Sequence, residues 1–289
     1  MKKVLLLGAG GQLGSDILDF TSSDKIQIIP SLRSHFEAGV DNVETTLAEF
    51  KECDYLINCI AYHKVDACED NSKLSFDINA NFVMALTKFC SENDITLIHI
   101  STDYVFEGSE NALHKEEDDT LPVNVYGTSK LTGEAFVKAY GKKYYILRVS
   151  SLFGSKETDD YNINFVEKMV HSAKTNQKLN VIDNQIISPT HAKDVALAIQ
   201  TIIEKDVREY GVYHCCNSGT CSWYQFVQKI FELTGLSTDL TPVSYESFHT
   251  HAKRPQYCAM DNSKISRIYK MKNWEDALEE YLQLKGYIK

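Results

Sequence analysis

A phenol and an ammonium stand four residues apart in Pro122-Val-Asn-Val-Tyr126-Gly-Thr-Ser-Lys130. The stretch reads as a helix start, and residues at i and i+4 share one helix face, so Tyr126 and Lys130 can meet at a single site. An ammonium beside a phenol favours the phenolate and lowers its pKa, which suits a tyrosine to exchange a proton near neutrality. The spacing alone is weak. With 16 tyrosines in the chain, roughly one Tyr-x3-Lys pair is expected by chance. Tyr281 and Lys285 make a second such pair, in a terminal segment from Trp274 that reads as an ordinary amphipathic helix.

Two other stretches carry chemistry. Gly8-Ala-Gly-Gly11-Gln12-Leu13-Gly14 follows the apolar run Val4-Leu5-Leu6-Leu7 and precedes a helix-like segment. Glycines there permit a tight turn, close approach of backbone to a pyrophosphate, and close packing of the next helix, whose first amides face the phosphates. The Gly8, Gly11, Gly14 spacing is Gly-x2-Gly-x2-Gly, and its context points to a dinucleotide. Ile95 to Ile100 is a further apolar run, and it ends in Ser101-Thr102-Asp103-Tyr104-Val105-Phe106. Thr102 thus offers a hydroxyl at a strand end, the edge where open α/β sheets bind ligands. Thr102, Tyr126 and Lys130 together form one constellation, more specific than any member of it.

These residues need elements to hold them. Continuous apolar runs at Val4–Leu7, Ile26–Ile29, Tyr55–Ala61 and Ile95–Ile100 read as buried parallel strands. After the second run no carboxylate is placed to read a ribose. Ser31 or Arg33 can instead accommodate a 2′-phosphate, which favours NADPH, with NADH as the other admissible donor. Asp41-Asn42 reads as the end of a short strand contacting adenine. His63, beyond the third run, has no second ligand at metal spacing and reads as a cofactor or substrate contact. Residues 70 to 92 read as one long helix, with Asn79 tying it to a loop near the site. The acidic loop His114 to Thr120 reads as a lid. Trp223, after a Ser222 cap, reads as core, and Arg254 as a group able to grip a diphosphate.

A chain of 289 residues with 43% hydrophobic and 24% charged residues is ordinary for a globular protein and can bury a large core. The formal charge of −10 argues against nonspecific nucleic-acid binding. No stretch approaches the ~20 apolar residues of a membrane span, and the apolar start breaks into glycines too early for a signal peptide, so a cytoplasmic protein is expected. The eight cysteines contain no Cys-x2-Cys unit and read as reduced and partly buried.

The glycine turn, the stretch Asn58 to Asp66, the Ser101–Phe106 run and the Tyr126–Lys130 helix together resemble an extended short-chain dehydrogenase/reductase. Within that superfamily the chain is similar to the dTDP-4-dehydrorhamnose reductase family. Arg148–Gly154, Asp183–Gln185, Pro189-Thr190, Gly211–His214, Ser222-Trp223 and Ala252–Pro255 continue the resemblance over almost the whole chain.

The resemblance implies an α/β fold: a Rossmann-type doubly wound parallel sheet with a smaller C-terminal α/β substrate lobe. Residues 1–150 would bind NAD(P), completed by segments near 180–210 and the C-terminal helix, with 151–179 and 211–273 forming the smaller lobe. It implies reduction of the 4-keto group of a nucleotide-activated 6-deoxysugar. Tyr126 would donate the proton, Lys130 would assist it and hold the nicotinamide ribose, and Thr102 would bind the carbonyl oxygen. Gly11, Gln12, Leu13, Ala61, Tyr62 and His63 match cofactor contacts, and Asp103 a sugar contact. Three positions depart from the family. Ser151 stands where a Trp commonly packs on the sugar, which reshapes that pocket. His63 replaces a usual Thr, and Lys193 stands where members reported to bind magnesium carry a carboxylate, so no metal is expected. Other readings are a reductase of a related nucleotide keto-sugar and a noncatalytic homologue of the methionine adenosyltransferase partner subunit. The expected partner is the nucleotide sugar, with no nucleic acid or membrane, for a monomer or homodimer.

Overall fold

Leu5 and Leu7 face one hydrophobic core and Val4 and Leu6 another, and all four are fully buried. A strand that is apolar on both faces must lie inside a sheet covered on both sides. In a computed structural model, which describes residues 1–109, 112–156 and 164–289, Lys2–Leu7 is an inner strand of a six-stranded sheet. The order across the sheet is Gly211–His214, Tyr144–Val149, Thr96–Thr102, Tyr55–Asn58, Lys2–Leu7 and Ile26–Ser31, with every pairing parallel. Helices Gln12–Phe20 and Ala192–Glu204 cover the Val4 face. Helices Phe82–Glu92 and Val125–Tyr140 cover the other.

The chain runs from Lys2–Leu7 outward to Ile26–Ser31, then crosses back to Tyr55–Asn58 on the opposite side of the first strand. That reversal opens a crevice beyond the strand ends, where ligands bind in folds of this kind. The glycine turn and the segment after Asn58 flank it.

Several segments differ from the sequence reading. Gly211–His214 belongs to the central sheet, paired with Tyr145–Arg148, because Tyr213 packs into the core on one face while Val212 packs against the other. The C-terminal helix Trp274–Leu284 buries Trp274, Leu278, Tyr281 and Leu282 in a third core with Phe153, Val166 and Phe226. Its aromatic face finds aromatic partners there, with Phe153 and Tyr281 edge to face at 5.3 Å between centroids. Asn42 ends no strand. It caps the short helix Val43–Thr46, accepting from the Thr45 amide at 3.1 Å, as Asn is suited to do. Residues 157–163, within the stretch 151–179, lie outside the described residues.

The expected long helix is interrupted. Ser72–Phe76 and Phe82–Glu92 are α-helical, and Asp77–Asn81 between them is a π turn. Such bulges occur frequently at functional sites. This one turns Asn79 toward the loop below, where its amide accepts from Tyr62 N at 2.9 Å and donates to Tyr62 O at 3.0 Å. The loop His114–Thr120 is pinned. His114 bridges to Met260 and stacks on Phe106 at 4.1 Å, and Glu116 accepts from His214 N at 2.9 Å. All eight cysteines are unpaired. No helix among the described residues is long and apolar enough to cross a membrane.

Candidate active site

The glycine turn and helix Gln12–Phe20 form one wall of a cavity of about 1050 Å³. A Cβ on Gly14 would fall 2.2 Å from the Gly8 carbonyl oxygen, so only glycine lets the helix start so close to the strand end. Gly11 caps that helix with no side-chain bond to its first amides, and free amides at a helix start suit a phosphate. The cradle therefore fits the pyrophosphate of a dinucleotide. Lys156 lines the same cavity, and its ammonium donates to the Gly10 carbonyl. Its segment is fastened to helix Gln12–Phe20 through the Ser155 amide, which donates to the buried Asp16 carboxylate at 3.1 Å.

Tyr126 and Lys130 lie in the first turns of helix Val125–Tyr140, as their spacing predicts. Asn124 caps it, accepting from Gly127 N at 2.7 Å. A Cβ on Gly127 would stand 2.2 Å from the Tyr104 carbonyl oxygen, so this glycine lets the helix start press against the end of strand Thr96–Thr102. That approach brings the Tyr104 and Tyr126 rings edge to face at 5.8 Å. Thr102, Asp103, Tyr126, Lys130, Gly11, Gln12, Leu13, Gly14, Arg33, Ala61, His63 and Ser151 all line the one cavity.

The second pair is not part of it. Tyr281 is fully buried in the third core, its hydroxyl donating to Glu167 at 2.6 Å, while Lys285 lies 3.5 Å from the same carboxylate.

The electrostatics differ from the expectation in one respect. Enclosure raises the Tyr126 phenol above its ordinary value, and the group acting downward is the Thr102 hydroxyl. Lys130 is buried and donates to the Ile100 carbonyl at 2.7 Å. Burial pulls it down to about 8, against Glu134 and Cys59. The phenol is thus held as a phenol, the form that can give a proton. Asp103 accepts from Ser150 at 2.7 Å and from Thr102 at 2.9 Å. Burial nonetheless pushes it up to about 6.

Several predicted positions lie off the cavity. Asp41 accepts from the Glu37 amide at 2.6 Å and Asn42 is the cap described above. Gly8 packs its carbonyl against Gly14, and Tyr62 is bonded through its backbone to Asn79. Arg254 is held by Asp66 at 2.6 Å rather than free in the cleft. Arg33 does line the cavity, but it is exposed and pairs with Glu37. The Lys193 ammonium pairs with Glu280 at 2.7 Å. Ser151 adopts a left-handed φ of 44° at the far wall, a conformation that costs a non-glycine residue on the order of 1–3 kcal/mol.

The cavity also takes in residues that pattern did not single out for the site: Gly10, Cys59, Tyr104, Lys156, Asn164 and Trp223. Trp223 packs on Phe165 at 4.5 Å between centroids and still reaches the cavity. A basic residue following the Gly154 turn was the available signal for Lys156.

The chain matches the family model described as RmlD substrate binding domain over residues 1–286. It is 33% identical over 285 residues to the spore coat polysaccharide biosynthesis protein SpsK of Bacillus subtilis, covering 98% of each chain. It is 31% identical over 288 residues to a dTDP-4-dehydrorhamnose reductase of Sinorhizobium fredii, covering 95% of each. Among solved structures, a dTDP-4-dehydrorhamnose reductase of Bacillus anthracis in complex with NADP aligns at a TM-score of 0.91 and 33% identity, over 98% of this chain and 99% of that one.

Proposed function

The chain belongs to the RmlD substrate binding domain family, and from that premise we propose that it is an oxidoreductase that reduces the 4-keto group of a nucleotide-activated 6-deoxysugar, as a dTDP-4-dehydrorhamnose reductase does. The observation that carries this is the convergence of Thr102, Tyr126 and Lys130 on the cavity that the glycine turn walls. The glycine turn and the first amides of helix Gln12–Phe20 would hold the pyrophosphate of NADPH, which would supply a hydride.

The chain's own residues do the rest. Tyr126 presents its hydroxyl where the carbonyl oxygen gains negative charge, and Thr102 adds a second donor by exchanging its bond to Asp103; donors placed there stabilise the transition state more than the ground state. Tyr126, held as a phenol, gives its proton to the nascent alkoxide. Lys130 lies one helix turn on and steadies the phenolate that results. Asp103 and Ser151 face the space left for the sugar. Arg254 reaches a substrate diphosphate only by exchanging its bond to Asp66. A regulatory reading without catalysis gains nothing from this site, which retains all three catalytic side chains.

The test is a panel of nucleotide 4-keto-6-deoxysugars with NADPH and NADH, following loss of the reduced-cofactor absorbance and identifying the product. Reduction of the dTDP-4-keto sugar with NADPH is expected. Protein that binds NADPH and reduces no member of the panel would sink the proposal.

A further inference from the structure

Two fully buried residues behind the cavity wall, Asn58 and His99, bear on Lys130. The Ile60 amide can only donate, and it faces Asn58 Oδ1 at 3.0 Å, which settles how the side-chain amide is turned. Asn58 Nδ2 therefore points at His99 Nδ1, 3.2 Å away. That nitrogen carries hydrogens and no free lone pair, so His99 Nδ1 must accept. The imidazole is then neutral, with its proton on Nε2. Nε2 in turn faces Lys130 Nζ at 3.5 Å. An ammonium there sets donor against donor, whereas an amine offers a lone pair.

We propose that Asn58 and His99 are positioning residues that favour the amine form of Lys130, keeping its proton easy to give up to the phenolate that Tyr126 becomes after protonating the alkoxide. In that step the Lys130 side chain swings from the Ile100 carbonyl toward the phenolate, the ammonium loses a proton, the phenolate oxygen gains it, and the amine recovers one from water. The other groups facing Lys130 are the Ile100 carbonyl, Glu134 on its own helix and Cys59 from the strand end. Glu134 works against the amine, but Arg148 and Ser101 occupy its carboxylate. Burial acts in the same direction as the relay on both partners, lowering Lys130 to about 8 and keeping His99 well below its ordinary value.

The inference rests on the assignment of Lys130 to the reduction, and its test separates the two. In the full chain loaded with NADP, long-range nitrogen–proton correlation spectra of labelled histidine report the His99 tautomer at neutral pH. The Nε2–H form is expected. Asn58→Asp keeps an acceptor for the Ile60 amide but offers His99 an acceptor too, which moves the imidazole proton to Nδ1 and turns the Nε2 lone pair to an ammonium. The alkaline limb of kcat should then move up by about one pH unit, the scale of one hydrogen bond to a charged group. A wild-type Nδ1–H form or imidazolium, or an alkaline limb that stays in place in the variant, overturns the relay. If the variant does not fold, the wild-type tautomer decides. If no keto-sugar is reduced, the functional reading fails while the tautomer still decides the relay.

Discussion

Arg148 and Glu134 meet in a two-point ion pair, Nε to Oε1 at 2.9 Å and Nη2 to Oε2 at 2.8 Å, with both side chains withdrawn from water. Burial alone would raise the Glu134 carboxyl, but the bonds and charge of Arg148, with Ser101 and Lys138, hold it below the usual carboxylate range. The pair ties strand Tyr144–Val149 to helix Val125–Tyr140, and Ser101 joins the strand between. Arg148→Ala leaves a buried carboxylate alone, which costs about 3–5 kcal/mol. Urea unfolding of the variant should show that loss; a change under about 1 kcal/mol would mean water reaches the pair.

Tyr126→Phe removes the proposed proton donor and little volume. Turnover should fall by roughly 10²- to 10⁴-fold, with NADPH affinity, read by fluorescence titration, within about twofold of the parent. Undiminished turnover would assign the acid elsewhere.

Asp16 sets a pH dependence of stability. Burial lifts its carboxyl from an ordinary 3.8 to about 6, with the Ser155 amide and the Lys285 and Lys193 charges pulling the other way. A folded value above the unfolded one contributes stability that is complete below the unfolded pKa and is lost as pH rises through the folded one. Asp16→Asn keeps an acceptor for Ser155 and removes the titration. It should be more stable than the parent above about pH 6, by roughly 2–3 kcal/mol, and the gap in urea midpoints should close toward about pH 4. A gap constant across that range would place the carboxylate in contact with solvent.

Lys156 beside the glycine turn and Arg33 on the same cavity are two cations whose proposed cofactor contacts can be told apart. Lys156→Ala should weaken NADPH and NADH alike, by about tenfold, as expected for one charge-assisted bond, and the loss should shrink at high salt. Arg33→Ala should weaken NADPH more than NADH. Equal losses from Arg33→Ala would remove it from the 2′-phosphate.

Trp223 lines the cavity as well as packing on Phe165, so Trp223→Ala opens the cavity wall. A contact between its indole and the nucleotide sugar predicts a rise in KM of roughly three- to tenfold, with kcat changed less. If KM holds and only stability drops, Trp223 serves the Phe165 core alone.

Much of the site was legible because its signals are local. Apolar runs emptying into glycines or hydroxyls mark parallel strands ending at a ligand edge, and Asn124 with Tyr126 and Lys130 marks a helix start carrying chemistry. The choice between two identical Tyr-x3-Lys spacings was legible only by neighbourhood. Tyr281 proves to be a core residue bonded to Glu167. Residues such as Asp41, Asn42 and Arg254 were harder, because a loop residue's partner depends on what the fold brings beside it. Asn42 found a helix start and Arg254 found Asp66.

The sequence by itself determined the parallel sheet and the glycine turn at the end of its first strand, which follow from residue type and short-range spacing, and it singled out Tyr126 as the candidate proton donor by its neighbourhood. Only the tertiary structure decided how those groups are tuned. Lys130 turns to the Ile100 carbonyl and His99, not to the phenol, and enclosure raises Tyr126 with the Thr102 hydroxyl acting against it. It also decided that Gly211–His214 completes the sheet and that Lys156 reaches the glycine turn. Burial and partner choice are set by residues distant in the chain, and they reverse the direction of a pKa shift that spacing alone would assign.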